Sequence, residues 1–194
     1  MIVASGPSAK TVPLHLAKTT CRFIAVNNSW QLAPWSDLLY GCDFNWWKSV
    51  DGCPEFAGLK ASENERVCTM GWGILKVDAN RGVDHICLNR DGRIGWGSNG
   101  GFQAFNLALH FKVSRILLVG FDATLDHGAH WHGQHSAGLS NPNANAVDRW
   151  RRALDGAATV VADHGVDVVN CSMVSALRKY PKVPFEQALE KIAA

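Results

Sequence analysis

Apolar residues along this chain come in short runs, and each run ends abruptly in small or polar residues. Ile2–Ala4 breaks at Ser5-Gly6-Pro7-Ser8, and Phe23–Val26 breaks at Asn27-Asn28. The stretch Asp37–Gly41, with Leu38-Leu39-Tyr40 at its centre, gives way to Cys42-Asp43. Further on, Arg115–Gly120 ends at Phe121-Asp122, and Val166–Asn170 ends at Cys171-Ser172. Runs this short and this rich in Val, Ile and Leu predict buried strands. Between them the spacing turns helical. Helices are expected from Ser8 to Ala17, from Phe44 to Val50 and, at the end of the chain, over Phe185–Ala194. Phe102 to Phe111 is apolar at 102, 105, 107, 108, 109 and 111, and Ala144 to His164 at 147, 150, 154, 157, 158 and 161. Both patterns fit a helix with one buried face. Strand and helix in alternation predict an α/β fold, a mostly parallel sheet with helices on both faces. Residues from about 51 to 97 are less regular and read as an insert, with Arg66–Met70 and His85–Leu88 as its best strands.

Composition narrows the class. At 194 residues the chain suits a single domain, and 47% hydrophobic with 19% charged residues excludes disorder. A net charge of +2 argues against an electrostatic nucleic-acid binder. Arg149, Arg151, Arg152, Arg178 and Lys179 read as solvated helix faces. The six cysteines, with no C-x-x-C pair, read as buried thiols of a reducing compartment. No basic segment with a long apolar core opens the chain, and no run has transmembrane length, so a cytoplasmic location without a membrane span is expected. The terminal helix offers a surface for a homo-oligomer.

The strand ends carry the candidate chemistry. A parallel sheet gathers them onto one rim, where ligands of open α/β sheets bind. Ser5-Gly6-Pro7-Ser8 opens a helix whose first N–H groups suit a phosphate, although neither a Walker motif nor a G-x-G-x-x-G fingerprint is present. A second glycine-rich element, Gly95 to Gly101, carries Ser98 and Asn99 as helix caps or ligand donors. Trp96, between two of those glycines, is the tryptophan best placed to stack on a base, whereas Trp46 and Trp47 read as core.

Four of the eight histidines, His127, His130, His132 and His135, fall in one loop after the Arg115–Gly120 run. A neutral imidazole there serves as a general base, with Asp122 or Asp126 to orient it, and a protonated one steadies a leaving phosphate. The same loop also offers His130, His132 and His135, with Asp122, as metal ligands, provided the His-x-His stretch is extended. Without a supporting thiolate, no metal ligand is assigned. The expected catalytic residues are His135, His132 and Asp122.

The loop V-x-S-G-P-S, Asn27-Asn28, Ser98-Asn99-Gly100-Gly101, I-L-L-V-G-F-D, H-x-H-G-x-H and V-N-C-S together resemble the DUF115/MptE-like group, which is common in phages and prophages. More distantly they resemble the sialyltransferases of glycosyltransferase family 42. The resemblance covers roughly Met1–Asp51 and Gly95–Tyr180. It implies a single Rossmann-like nucleotide-binding domain over residues 1–194. Ser5, Gly6 and Ser8 would lie near a donor phosphate, and Asn27, Asn28 and Asp43 would contact the nucleotide. Ser98, Asn99 and Gly100 match a nucleotide-contacting loop. Gln134-His135-Ser136 resembles the segment that supplies the general base. The tyrosines that steady the leaving phosphate in those sialyltransferases have no counterpart, since Tyr40 and Tyr180 lie elsewhere. The implied activity is a nucleotide-dependent transferase, glycosyltransferase-like with a nucleotide-sugar donor. The alternatives are an MptE-like diphosphokinase using Mg²⁺, or a phage protein that binds a nucleotide without turnover.

Overall fold

A computed structural model describes residues 1–89, 92–135 and 138–193. In chain order its strands are β1 (Ile2–Val3), β2 (Ile24–Val26), β3 (Leu38–Tyr40), β4 (Leu59–Ser62), β5 (Leu75–Lys76), β6 (Asp78–Asn80), β7 (Arg93–Gly95), β8 (Arg115–Val119) and β9 (Asp167–Asn170). The helices are α1 (Phe44–Ser49), α2 (Glu65–Cys68), α3 (Gly100–His110), α4 (Ala144–Gly156), α5 (Ala158–Asp163) and α6 (Phe185–Ala193). Seven strands form one parallel sheet in the order β5-β4-β3-β2-β1-β8-β9, and β6 pairs with β7 apart from it. The expected α/β, Rossmann-like domain is what the chain forms.

Alternation along each strand divides the core into two layers, because successive side chains point to opposite faces. Ile2, Ile24, Leu38, Ile116 and Leu118 pack under α3, α4 and α5, against Phe102, Phe105, Leu154 and Val161. On the other face Val3, Leu117, Val119 and Val169 meet Ala9, Leu14, Phe185 and Ala188. Ala25 and Leu39 meet Trp46, Trp47 and Val67. Phe102 and Phe105 are fully buried, each contributing roughly 1.5–3 kcal/mol.

Several expectations are corrected. The helix expected over Ser8–Ala17 is two short 3-10 turns, Pro7–Thr11 and Leu14–Ala17. Pro13 interrupts it, since proline has no N–H and pushes the residue before it, Val12 (φ −82°, ψ 128°), into extended geometry. Residues 66–70, expected as a strand, begin inside α2, where the Asn64 side chain accepts from the Val67 N–H. His85–Leu88 forms no strand. Its backbone is held instead by the buried amide of Asn106, which accepts from Cys87 N at 2.9 Å and Gly95 N at 2.8 Å and donates to Cys87 O at 2.9 Å. The 51–97 stretch is less of an insert than expected, because β4 and β5 extend the main sheet. The long helix over Ala144–His164 is divided after Gly156 into α4 and α5. Of the terminal helix, Ala194 lies outside the described residues.

The chain lays β1 in the interior of the sheet, adds β2 to β5 on one side, and then crosses back to add β8 and β9 on the other. The reversal falls between β1 and β8. At such a switch point the connections leave in opposite directions and open a crevice beyond the strand ends.

Candidate functional site

A crevice of about 420 Å³ occupies that position, within the range of roughly 300–1,000 Å³ typical of small-molecule sites. Ser5 and Gly6 come to it from the end of β1, Asn27 from β2, Asp43 from β3, and Asp122 from β8. Ser98, Asn99 and Gly100 bring the N-terminus of α3, and His130 and His135 bring the histidine loop. Of the residues expected from sequence, Ser8, Asn28 and His132 are not among those lining it.

Unusual backbone geometry concentrates here. Asn27 (φ 49°), Ser98 (φ 54°) and Ala123 (φ 51°) adopt left-handed conformations and all line the crevice. Such geometry costs a non-glycine residue about 1–3 kcal/mol and clusters at functional sites. Trp150 Nε1 donates to Ser98 O at 2.8 Å and helps hold that turn. The Asn99 side chain accepts from Phe102 N at 3.0 Å, capping α3. The earlier N–H groups, on Gly100 and Gly101, belong to the positive end of the helix. Asn27 Oδ1 is buried without a hydrogen-bond partner. Trp96 also lines the crevice, with the Arg81 guanidinium 4.7 Å from its ring centre.

The first loop works differently from its sequence reading. Ser8 N donates to Asp122 Oδ2 at 2.9 Å, and the Ser8 hydroxyl donates to Oδ1. The place expected for a phosphate is taken by the chain's own carboxylate. A side chain on Gly6 would bring its Cβ within 2.7 Å of that carboxyl, so loop and carboxylate are close-packed. Asp122 positions the loop rather than a histidine. Its segment is braced from below: Phe121 N donates to Ser172 Oγ at 3.0 Å, and Ser175 Oγ donates to Phe121 O at 2.6 Å. The Asn170-Cys171-Ser172 strand end thus supports the rim.

The histidine loop is folded back over the rim by its tryptophan. Trp131 N donates to Ser5 O at 2.9 Å, and Trp131 Nε1 to Ser29 Oγ at 3.3 Å. A turn at Gly133 (φ 90°) follows, and His135 N donates to Asn141 Oδ1 at 2.8 Å. This brings three imidazoles together. His130 and His132 stack with ring centres 5.1 Å apart, His130 and His135 lie 4.5 Å apart, and His132 and His135 lie 5.0 Å apart. One ring nitrogen from each lies within 4.8 Å of the others. Trp46 Nε1 donates to Asn28 Oδ1 at 2.7 Å, which turns the Asn28 amide nitrogen towards His132 Nε2 at 3.2 Å. His130 Nε2 is buried without a partner. His127 is exposed and outside the cluster, and Ser136 of the expected base segment lies outside the described residues.

Burial shifts all three clustered histidines towards the neutral form. Burial and the neighbouring His135 and His132 lower His130 to about 4. Burial and His135 lower His132, and burial lowers His135 against the opposing pull of Asp43. Among the described residues lining the crevice there is no Lys or Arg, while Asp43 and Asp122 bring two carboxylates. No family model, curated protein or solved structure matches the chain.

The sequence reading missed Trp150, which looked like one apolar position of a long helix, but it grouped His130 with His132 and His135 as candidate metal ligands. Asn141 fixes the His135 backbone by accepting from its N–H.

Proposed function

We propose that this chain is a nucleotide-dependent transferase, glycosyltransferase-like, that takes a nucleotide or nucleotide-sugar donor in the crevice. The observation that carries this reading is the meeting, at the sheet's switch point, of the α3 N-terminus and a neutral imidazole, His135, in one cavity. The donor phosphate is assigned to the Gly100-Gly101 end of α3 rather than to Ser8, whose N–H is already taken by Asp122. Asn27, with an unpartnered carbonyl oxygen, and Trp96 are assigned to the nucleoside. His135 is the general base for an acceptor hydroxyl. A lowered pKa leaves its ring nitrogen free to accept a proton at neutral pH. The likeness of Gln134-His135 to the base segment of the sialyltransferases points the same way.

The diphosphokinase alternative is less well supported. It needs carboxylates free to hold Mg²⁺, and both Asp122 oxygens are bonded to Ser8, which leaves Asp43. Binding without turnover is the second reading, favoured because, among the described residues, no carboxylate is hydrogen-bonded to the His135 ring.

The test is thermal unfolding with CMP, UDP, GDP, ATP and their sugars, in Mg²⁺ and in EDTA. A true ligand at 100 times its Kd raises Tm by about 5–10 °C. If no nucleotide stabilises the fold, the reading fails. If one does, unchanged turnover in His135→Ala removes the proposed base, and no turnover in the parent leaves the binding reading.

A further inference from the structure

We propose that His130, His132 and His135 form a binding site for a divalent transition metal of the zinc class, at the edge of the crevice. Three imidazoles face one another, and one nitrogen from each lies within 4.8 Å of the others, close enough for one ion to gather by side-chain rotation. Stacked neutral rings gain little from such an arrangement, and charged ones repel. An ion gives all three lone pairs a common partner. His130 Nε2, buried and unpartnered, is the nitrogen that most lacks one.

The donor set selects the metal. Three nitrogens and no carboxylate within the cluster suit zinc, cobalt or nickel and disfavour Mg²⁺, which requires oxygen. Three protein ligands leave a fourth position open, the pattern of catalytic rather than structural zinc. Zinc–nitrogen bonds of about 2.0–2.1 Å in a tetrahedron set the nitrogens about 3.3 Å apart. The rings must therefore close from a 4.8 Å spread by modest side-chain rotation. His132 exchanges its contact with Asn28 for the metal bond. Trp131, anchored to Ser5 and Ser29, keeps the His-x-His segment in place while the rings move.

The crevice supplies a reason for such an ion. His130 and His135 line a cavity that has two carboxylates and, among its described residues, no Lys or Arg. A cation at their imidazoles gives an anionic ligand the positive charge that the side chains do not. With the ion bound, His135 is a ligand and the ion faces the crevice in its place.

The experiment uses the full chain stripped with a chelator and titrated with Co²⁺, read by visible absorption. One saturating equivalent is expected, with the intense bands of four- or five-coordinate cobalt. Zn²⁺ should displace it and Mg²⁺ should not. His130→Gln, His132→Gln and His135→Gln should each weaken binding at least tenfold, while His127→Gln leaves it unchanged. Unfolding curves without metal verify that the variants fold. A Zn²⁺-dependent rise in the parent's Tm gives a readout independent of any variant. Absence of saturable binding in the parent, or equal binding in all four variants, overturns the site and leaves adventitious surface metal only. The site shares His135 with the transferase reading, so a bound ion takes His135 out of the role of general base; ion binding without nucleotide binding sustains the site and removes the transferase.

Discussion

Two glycines show how much a single position can carry. Gly120, just after β8, has φ +71°, and a Cβ there would meet Ala4 O at 2.3 Å. Gly133, in the histidine loop, has φ +90° with nothing within 4 Å. Gly120→Ala should cost about 2–4 kcal/mol, strain and clash together, whereas Gly133→Ala should cost only the strain, about 1–2 kcal/mol. Chemical denaturation of both variants checks the difference. His130 makes a second prediction. Its folded pKa of about 4 lies below the ordinary 6.5, so the unfolded chain takes up a proton there first as pH falls. Its contribution is full above pH 6.5 and is lost as pH drops through 6.5 towards 4. His130→Gln should flatten the Tm profile across that window, and an unchanged slope would contradict the neutral, buried assignment. From sequence His130, His132 and His135 stood out as one candidate ligand set, but whether their rings meet was not legible. What separates exposed His127 from the cluster is the fold of the loop over Ser5 and Ser29, a long-range contact that no local pattern encodes.

At the level of elements, the strands of the core were legible because buried parallel strands are nearly continuous runs of Val, Ile and Leu. β4, β5, β6 and β7 were not: Leu59-Lys60-Ala61-Ser62 and Asp78-Ala79-Asn80 have ordinary, mixed composition and are strands because of what they pair with. Of the helices that an asparagine caps, α3 and α4 were legible and α2, capped by Asn64, was not; the first two make a controlled comparison. Asn99 caps α3 at 3.0 Å and Asn143 caps α4 at 2.9 Å, by the same bond to the third residue on. Each Asn→Ala change should cost about 1 kcal/mol of stability, within the usual range of about 0.5–2. Nucleotide affinity, if the phosphate sits on α3, should fall with Asn99→Ala well beyond any change from Asn143→Ala, although Asn143 also borders the crevice. Equal losses would place the phosphate elsewhere. The first loop was misread at this scale. A Gly-Pro turn before a helix does suit an anion, but Asp122, which fills that role, is 114 residues away from Ser8.

Across the whole molecule, the switch-point crevice collects charge of one sign. Asp43 enters from β3 and Asp122 from β8, strand ends that the fold brings to one crevice across β2 and β1, and no described Lys or Arg on the lining offsets them. The net charge of +2 lies elsewhere on the surface: Arg149 is paired with Asp84, and Arg151 and Arg152 with Asp148. Asp122 accepts two hydrogen bonds from Ser8 and is needed for the loop. Exposed Asp43, by contrast, has the Cys42 thiol at 3.5 Å as its side-chain contact and acts on His135 through space. Removing its charge separates the roles. In EDTA, Asp43→Asn should bind a nucleotide more tightly than the parent, because a carboxylate about 6 Å from a phosphate costs about 0.7 kcal/mol in water, close to a threefold change. With saturating Zn²⁺ the gain should shrink, since the cation in the histidine cluster already offsets the carboxylate. The same substitution removes the one group that raises His135, so the acid limb of any turnover profile should move to lower pH. Titration calorimetry with and without Zn²⁺, alongside a pH–rate profile, reads both effects from one variant. Weaker binding of Asp43→Asn in EDTA would mean that Asp43 donates a ligand contact instead of opposing one.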